Sequence, residues 1–209
     1  MSVLNRIAYF QNRRDEAPNQ ELARELAETK NKPGIQEIAE NLGHKNQNVQ
    51  SDCLKVLYEV GYLAPELIAD DVDDFLKLLK SKNNRMVWGS MIALATIAEL
   101  KPREIWMKVD DVIAAIDRGT LITLVWGIKT LARVACTNKR YRDKLFPILI
   151  KYLKTCIPRD VPTHAESVLC AVDANHTEEF LSVLESRRAE MTPSQLARLR
   201  KITKQMEAR

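Results

Sequence analysis

The sequence predicts an all-α chain: a right-handed α-solenoid of antiparallel helix pairs with a period of about 38 residues. Three observations carry that expectation. Glycine is scarce, six in 209 residues, so the positive-φ positions that tight hairpins and dinucleotide-type phosphate loops require are in short supply. Leu, Ala, Glu, Lys and Arg, all good helix formers, fill the space instead. And Val87-Trp88-Gly89 returns as Val125-Trp126-Gly127 one such period later. A chain that is 45% hydrophobic and 29% charged has the balance of a folded protein rather than a disordered one. No apolar run is long enough for a membrane-spanning helix.

The elements follow in order. The opening stretch to Arg14 is amphipathic and basic, with Ser2 placed to cap a first helix whose apolar face is Leu4, Ile7, Ala8 and Phe10. A presequence is the other reading, but no small-residue cleavage stretch follows and Asp15-Glu16 is wrong for one. Asn19 to Lys30 carries Leu22, Ala23, Leu26 and Ala27 on one stripe, and Pro33 to Leu42 carries Ile35, Ile38, Ala39 and Leu42 on another. Residues 1–45 are thus an irregular N-terminal cap within one repeat domain spanning 1–209.

Residues 46–190 hold four helix pairs. Stepping one period back or forward from the Val-Trp-Gly positions lands on Val49-Gln50-Ser51 and Thr163-His164-Ala165. An apolar run follows each triplet: Cys53 to Leu57, Met91 to Ala95, Leu131 to Ala135, Leu169 to Val172. The second halves also correspond. Pro65 to Ile68 precedes Val72-Asp73-Asp74, and Pro102 to Ile105 precedes Val109-Asp110-Asp111. In the third unit Pro147 marks a helix boundary or kink, since proline suits a first turn and disrupts an interior. Residues 191–209 form a closing helix with Thr192 as N-cap and Pro193 at its first position.

A two-helix unit of this length, with the prolines in the inter-helix turns, the Val-Asp-Asp openings and the recurring Val-Trp-Gly, resembles the HEAT and armadillo repeat class from about Asn19 to Arg188. The resemblance implies a binding scaffold whose second helices line a concave recognition surface. One subgroup, the HEAT-like alkylpurine DNA glycosylases, is catalytic and uses a basic groove with tryptophans and an aspartate. Trp106 with Asp110 or Asp111 is the similar grouping here, so a DNA-binding or DNA-repair role is the alternative reading.

The net charge of +4 hides strong banding. Residues 137–159 hold seven basic residues against Asp143 alone, a net +6. Residues 160–184 follow with −5, and 185–209 return to +4. On a helix over 140–156, Tyr141, Leu145, Ile148, Leu149, Tyr152 and Leu153 form the core stripe, while Arg140, Lys144, Lys151 and Lys154 fall along one neighbouring face. Such a row is the footprint of a phosphate or acidic-peptide site. The candidate binding residues are therefore Arg140, Lys144, Lys151, Lys154 and Arg159, with Trp106 and Tyr152 as apolar anchors.

Other chemistry is sparse. Asp70 to Asp74 lacks the alternating ligands, central glycine and closing glutamate of a calcium loop and reads as acid placed at a helix start. His164 and Glu166 lie two apart, so they point to different sides of a helix, and Thr163 with Glu166 reads as a capping box. Trp88 and Trp126 read as packing residues that close over the glycine beside each. Cys53, Cys136, Cys156 and Cys170 are far apart and suit a reducing compartment. The expectation is a cytoplasmic, non-enzymatic scaffold with no metal, cofactor or membrane span. Its partner is expected to be a protein or another acidic molecule, with nucleic acid as the alternative and self-association through apolar end repeats a third reading.

Overall fold

A computed structural model describes residues 2–207. Among the described residues there are twelve α-helices and seven 3-10 turns and no strand, and no helix is long and apolar enough to cross a membrane. The chain divides between Gly127 and Ile128 into two compact units.

In the first unit the opening residues do not form the expected helix. A single 3-10 turn, Leu4–Arg6, is followed by turns that end on Asn12 at a φ of 53°. Tertiary hydrogen bonds outcompete helical ones here. Glu37 accepts from the Ser2 hydroxyl and from the Val3 amide (3.0 Å), Arg6 forms a bidentate pair with Glu25, and the amides of Ala8 and Tyr9 donate to Asn19 and Asp52, both at 2.8 Å. Ile7 is thereby fully buried, while Phe10 stays exposed.

Helices α1 (Ala17–Glu28) and α2 (Lys32–Glu40) follow the two expected apolar stripes. Between them the chain reverses through Lys30, whose φ of 50° is left-handed. The Asn31 amide donates to Leu26 (3.0 Å) and the Lys30 amide to Ala27 (3.2 Å), which satisfies the last carbonyls of α1 in a Schellman motif built on lysine instead of glycine.

Helix α3 (Gln47–Leu63) packs against α1, α2 and α5 (Asn84–Ile97), and α4 (Val72–Leu78) packs against α5. Asparagine side chains start the two long helices: Asn46 accepts from the Asn48 amide and Asn83 from the Arg85 amide. The prolines expected in turns open short helices instead, a 3-10 turn Pro65–Leu67 and α6 (Pro102–Met107), ahead of α4 and α7 (Val109–Arg118).

Helix α8 (Leu121–Thr137) begins in this unit. Ser51, Gly89 and Gly127, each one period from the next, are all small and all buried. A Cβ on Gly89 would lie 2.6 Å from Leu54 Cδ2, and one on Gly127 would run into Ile116 Cγ1. Gly61 is inside α3, where a Cβ would come 2.8 Å from Ile68 Cδ1.

In the second unit α9 (Lys139–Thr155) runs through Pro147 without ending. The proline withholds a hydrogen bond from the Asp143 carbonyl and costs about 3 kcal/mol in a helix interior. Both residues are solvent-exposed, so water reaches that carbonyl. On the opposite side Leu145, Phe146, Leu149, Ile150 and Leu153 are buried, at about 1.5–3 kcal/mol each. Burial therefore outweighs the break and the helix continues. Helices α10 (Val161–Val168), α11 (Thr177–Ser186) and α12 (Pro193–Glu207) complete the unit. At the start of α12 the Thr192 hydroxyl accepts from the Gln195 amide while Gln195 takes the Thr192 amide, a reciprocal cap.

Two stability measurements check this account. Gly127→Ala should lower the unfolding free energy by about 1–3 kcal/mol, because overpacking against Ile116 exceeds the ~1 kcal/mol of helix propensity gained. Lys30→Gly should raise it by about 1 kcal/mol by removing the left-handed strain. Urea titration reads both.

Candidate functional site

Asn138 starts α9 by accepting from the Tyr141 amide at 2.9 Å. From there Arg140, Lys144, Pro147, Lys151 and Lys154 fall on one face at the helical period, and all five are exposed. From Arg140 to Lys154 the row extends ~21 Å at the α-helical rise. Lys154 Nζ lies 3.5 Å from Glu179 of α11. Arg140, Lys144 and Lys151 have no ion-pair partner among the described residues. Arg159 lies beyond the helix, in the 3-10 turn Pro158–Asp160, with its Nε 3.5 Å from Asp160.

The two proposed anchors are placed differently. Tyr152 is only 9% exposed and belongs to the packed side of α9. Trp106 is half-buried in α6 of the first unit. The structure thus brings four cations together on one helix face and leaves both aromatic side chains outside that face. The core stripe also shifts: Phe146 and Ile150 are buried in place of Tyr141 and Ile148, which are half-buried.

A residue that sequence reasoning missed holds this helix in place. The Arg187 guanidinium, 9% exposed, donates to the carbonyls of Leu153 (3.0 Å), Lys154 (2.7 Å) and Cys156 (2.8 Å) at the end of α9. Glu190 receives the rest of the fork at 2.9 and 3.0 Å and, as its main partner, raises the Arg187 pKa above its ordinary value. The clamp satisfies terminal carbonyls and puts positive charge at the negative end of the helix dipole. Only the Arg187–Glu190 spacing was visible beforehand, since the carbonyls lie far back along the chain.

The acid-base candidates are also redistributed. His164 is fully buried and neither ring nitrogen has a hydrogen-bond partner among the described residues; burial holds its pKa below the usual histidine value, against the opposing charge of Asp160. Thr163 and Glu166 form no capping box. Helix α10 already begins at Val161, and both side chains take the Arg198 guanidinium of α12, Glu166 at 2.6 and 2.9 Å and Thr163 at 3.1 Å. Asp173 instead meets His176 Nδ1 at 2.6 Å and Arg142 Nη1 at 2.9 Å. Although burial works the other way, these two partners keep its carboxyl below the usual range.

In the first unit the tryptophans have aromatic neighbours, as their packing role implies: Trp88 stands 6.2 Å from Tyr58 and Trp126 5.7 Å from Tyr62, between ring centroids. Lys55 lies 4.9 Å over the Tyr58 ring and bonds Glu16 and Glu59 at 2.8 and 2.7 Å. Asp111 is paired with Lys80 at 2.9 Å. Burial, reinforced by Asp74 and Asp70, pushes the Asp71 carboxyl up to about 6. Among the described residues no three His, Cys, Asp or Glu side chains gather to hold a metal ion.

No protein-family model matches the sequence, and no curated protein does. Solved structures do match. A designed armadillo repeat protein in complex with the peptide (KR)4 aligns at a TM-score of 0.69 and 13% identity, over 88% of this chain and 85% of that one. An engineered protein aligns at 0.65 and 16%, over 100% and 98%. The karyopherin Kap121p, bound to the SUMO protease Ulp1p, aligns at 0.66 and 14%, over 96% of this chain and 22% of its own. The fold is therefore the all-α repeat solenoid of the armadillo and HEAT class. The glycosylase alternative gains no support from these neighbours, and the Asp111–Lys80 pair leaves that carboxylate already engaged.

Variants at two positions check the electrostatics. Arg187→Ala should cost about 2–4 kcal/mol, since it strands buried carbonyls, and Arg187→Lys should recover less than half of it for want of the fork; denaturant unfolding measures both. Burial makes His164 harder to protonate in the folded protein, whereas the unfolded chain takes up a proton below pH ~6.5. Its contribution to stability is therefore full above that pH and falls as pH drops through it. His164→Leu should remove this fall and add about 1–2 kcal/mol at pH 7.5 by deleting two unsatisfied nitrogens. The difference between the wild-type and variant stability curves from pH 7.5 to 5 isolates the effect.

Proposed function

We propose that the protein is a binding scaffold whose α9 cation row recognises an acidic segment of a partner protein. The observation that carries this reading is the set of three exposed cations, Arg140, Lys144 and Lys151, that face solvent on a helix fixed at both ends while having no ion-pair partner of their own among the described residues. Ordinary surface charges contribute little individually, ~0.2–1 kcal/mol per pair. A row held in register on one rigid helix acts differently, because one extended acidic peptide can meet several cations without ordering each of them separately.

The neighbours support the class of ligand, and the charge on α9 supplies its sign. The designed armadillo protein is in complex with a peptide of alternating lysine and arginine, and Kap121p with a protein. Here the helix offers cations, so the complementary segment is rich in Asp and Glu. Charge steering would speed encounter and make affinity depend on salt. The buried Tyr152 contributes to this site by packing α9, not by touching the ligand. Arg159, beyond the helix end, extends the field.

The test is fluorescence anisotropy with a labelled Asp/Glu-rich peptide, a Lys/Arg-rich peptide and a DNA duplex. The acidic peptide should bind, and Lys144→Glu with Lys151→Glu should weaken it about tenfold or more. Raising salt from about 50 to 300 mM should weaken it further. Equal binding of the basic peptide, or no effect of the double reversal, would reject the assignment. Preference for the duplex would reassign the site to nucleic acid.

A further inference from the structure

The second unit has another surface that the α9 row does not use. Helices α11 and α12 leave between them a groove of about 750 Å³. Leu184 and Leu199 form its buried floor, and Leu181 and Leu196 are half-exposed along its sides. Each helix contributes a two-turn stripe: Glu178, Leu181 and Glu185 on one side, and Leu196, Leu199 and Thr203 on the other. These are the i, i+3, i+7 spacings by which one helix face meets another.

The two walls carry opposite charge. Glu178 lines the α11 wall, while Arg200 and Lys204 line the α12 wall, and none of these three has an ion-pair partner among the described residues. The neighbouring Glu179 shows what pairing looks like here, since it turns instead to Lys154 of α9 at 3.5 Å. Glu185 is engaged by Arg188 at 2.9 Å. The groove therefore has an apolar floor two turns long, an anion on one wall and cations on the other, with no ion-pair partner for Glu178, Arg200 or Lys204 among the described residues.

We infer that this groove docks a short amphipathic helix of a partner protein, with aliphatic anchors at i, i+3 or i+4 and i+7, basic side chains on the flank facing Glu178 and acidic ones on the flank facing Arg200 and Lys204. The apolar floor selects a helix with one aliphatic stripe. The wall charges select against helices whose two flanks carry the same sign, because one flank then meets a like charge. A mixed pattern also fixes direction, since reversing the helix exchanges its flanks. This inference is independent of the α9 cations and stands or fails apart from them.

The experiment uses the full chain and a labelled synthetic helix of about twelve residues, side-chain-stapled, with leucines at the anchor positions and one basic and one acidic flank. Two control helices carry the same anchors with both flanks acidic or both basic. The mixed helix should bind at least tenfold more tightly than either control. Leu181→Glu should reduce its binding by tenfold or more with the circular dichroism spectrum unchanged. Lys204→Glu, a change at an exposed position, should weaken the mixed helix several-fold and improve the all-basic one. Equal binding of the three helices would overturn the inference, as would wild-type affinity in both variants. Concentration-dependent dimerisation abolished by Leu181→Glu would give the groove to a second copy and overturn it. So would an anilinonaphthalene dye that saturates the groove and resists displacement by the mixed helix, which would point to a small apolar ligand.

Discussion

At Gly127 a single hydrogen atom is all that fits against Ile116, and at Gly89 Leu54 fills the place where a Cβ would go. This close approach governs the packing of the first unit. Where a side chain is reduced to hydrogen, neighbouring helices can draw together, and the aliphatic runs beside each glycine then face one another instead of solvent. Met91 to Ala95, which follow Gly89 closely, are all buried. The cost of a glycine within a helix, ~1 kcal/mol, is small against the burial it permits. The tryptophan before each glycine is only half-buried, and each has a tyrosine of α3 as a ring neighbour. The small residue sets the distance.

Close packing of apolar faces leaves backbone polar groups at helix ends, and polar side chains meet that need at several of them. Asn46, Asn83 and Asn138 start three long helices, and Thr192 with Gln195 starts the last. Arg187 finishes α9. At the N-terminus Asn19 takes the buried Ala8 amide, Glu37 the part-buried Val3 amide and Asp52 the exposed Tyr9 amide. A buried amide left alone would cost about 1–3 kcal/mol, enough to favour these contacts over the helix that the local pattern of Leu4, Ile7 and Ala8 suggested.

What the sequence made legible follows from the range of the forces involved. The stripes on α1, α2 and α9 are local, with a period the eye can find, and they placed those helices to within a few residues. The reciprocal cap at Thr192 is equally local. At Pro147 the boundary half of the expectation fails because a local rule was outweighed by a sum over many side chains: the helix continues where five apolar residues are buried. Thr163 and Glu166 have the spacing of a capping box, yet Arg198, on a helix much further along the chain, claims both. The α9 cations were readable as a row. The clamp that fixes the row was not, because no periodicity links Arg187 to the carbonyls of Leu153, Lys154 and Cys156. His164 shows the same limit. One repeat period from Trp126 reaches it, but only the three-dimensional packing reveals a ring buried with both nitrogens unmatched.

The charge banding now has a physical account. The −5 of residues 160–184 follows directly on the +6 of residues 137–159, and mutual neutralisation would be the simplest outcome. The structure carries that neutralisation only part of the way. Glu166 is taken by Arg198, Asp173 by Arg142 and His176, and Glu179 by Lys154, while Asp160 lies beside Arg159. Arg142, a member of the basic band, is turned inward to Asp173 and so does not join the exposed row. Each pairing spends an acid on holding the second unit together, and none reaches Arg140, Lys144 or Lys151. The remaining acid of the band, Glu178, lines the groove on the far side of α11's paired residue. Internal ion pairing therefore separates two unneutralised surfaces, one purely basic and one of mixed sign over an apolar floor. Two surfaces of such different character on one small unit favour two different kinds of partner segment: an extended acidic strand for the first and a folded amphipathic helix for the second.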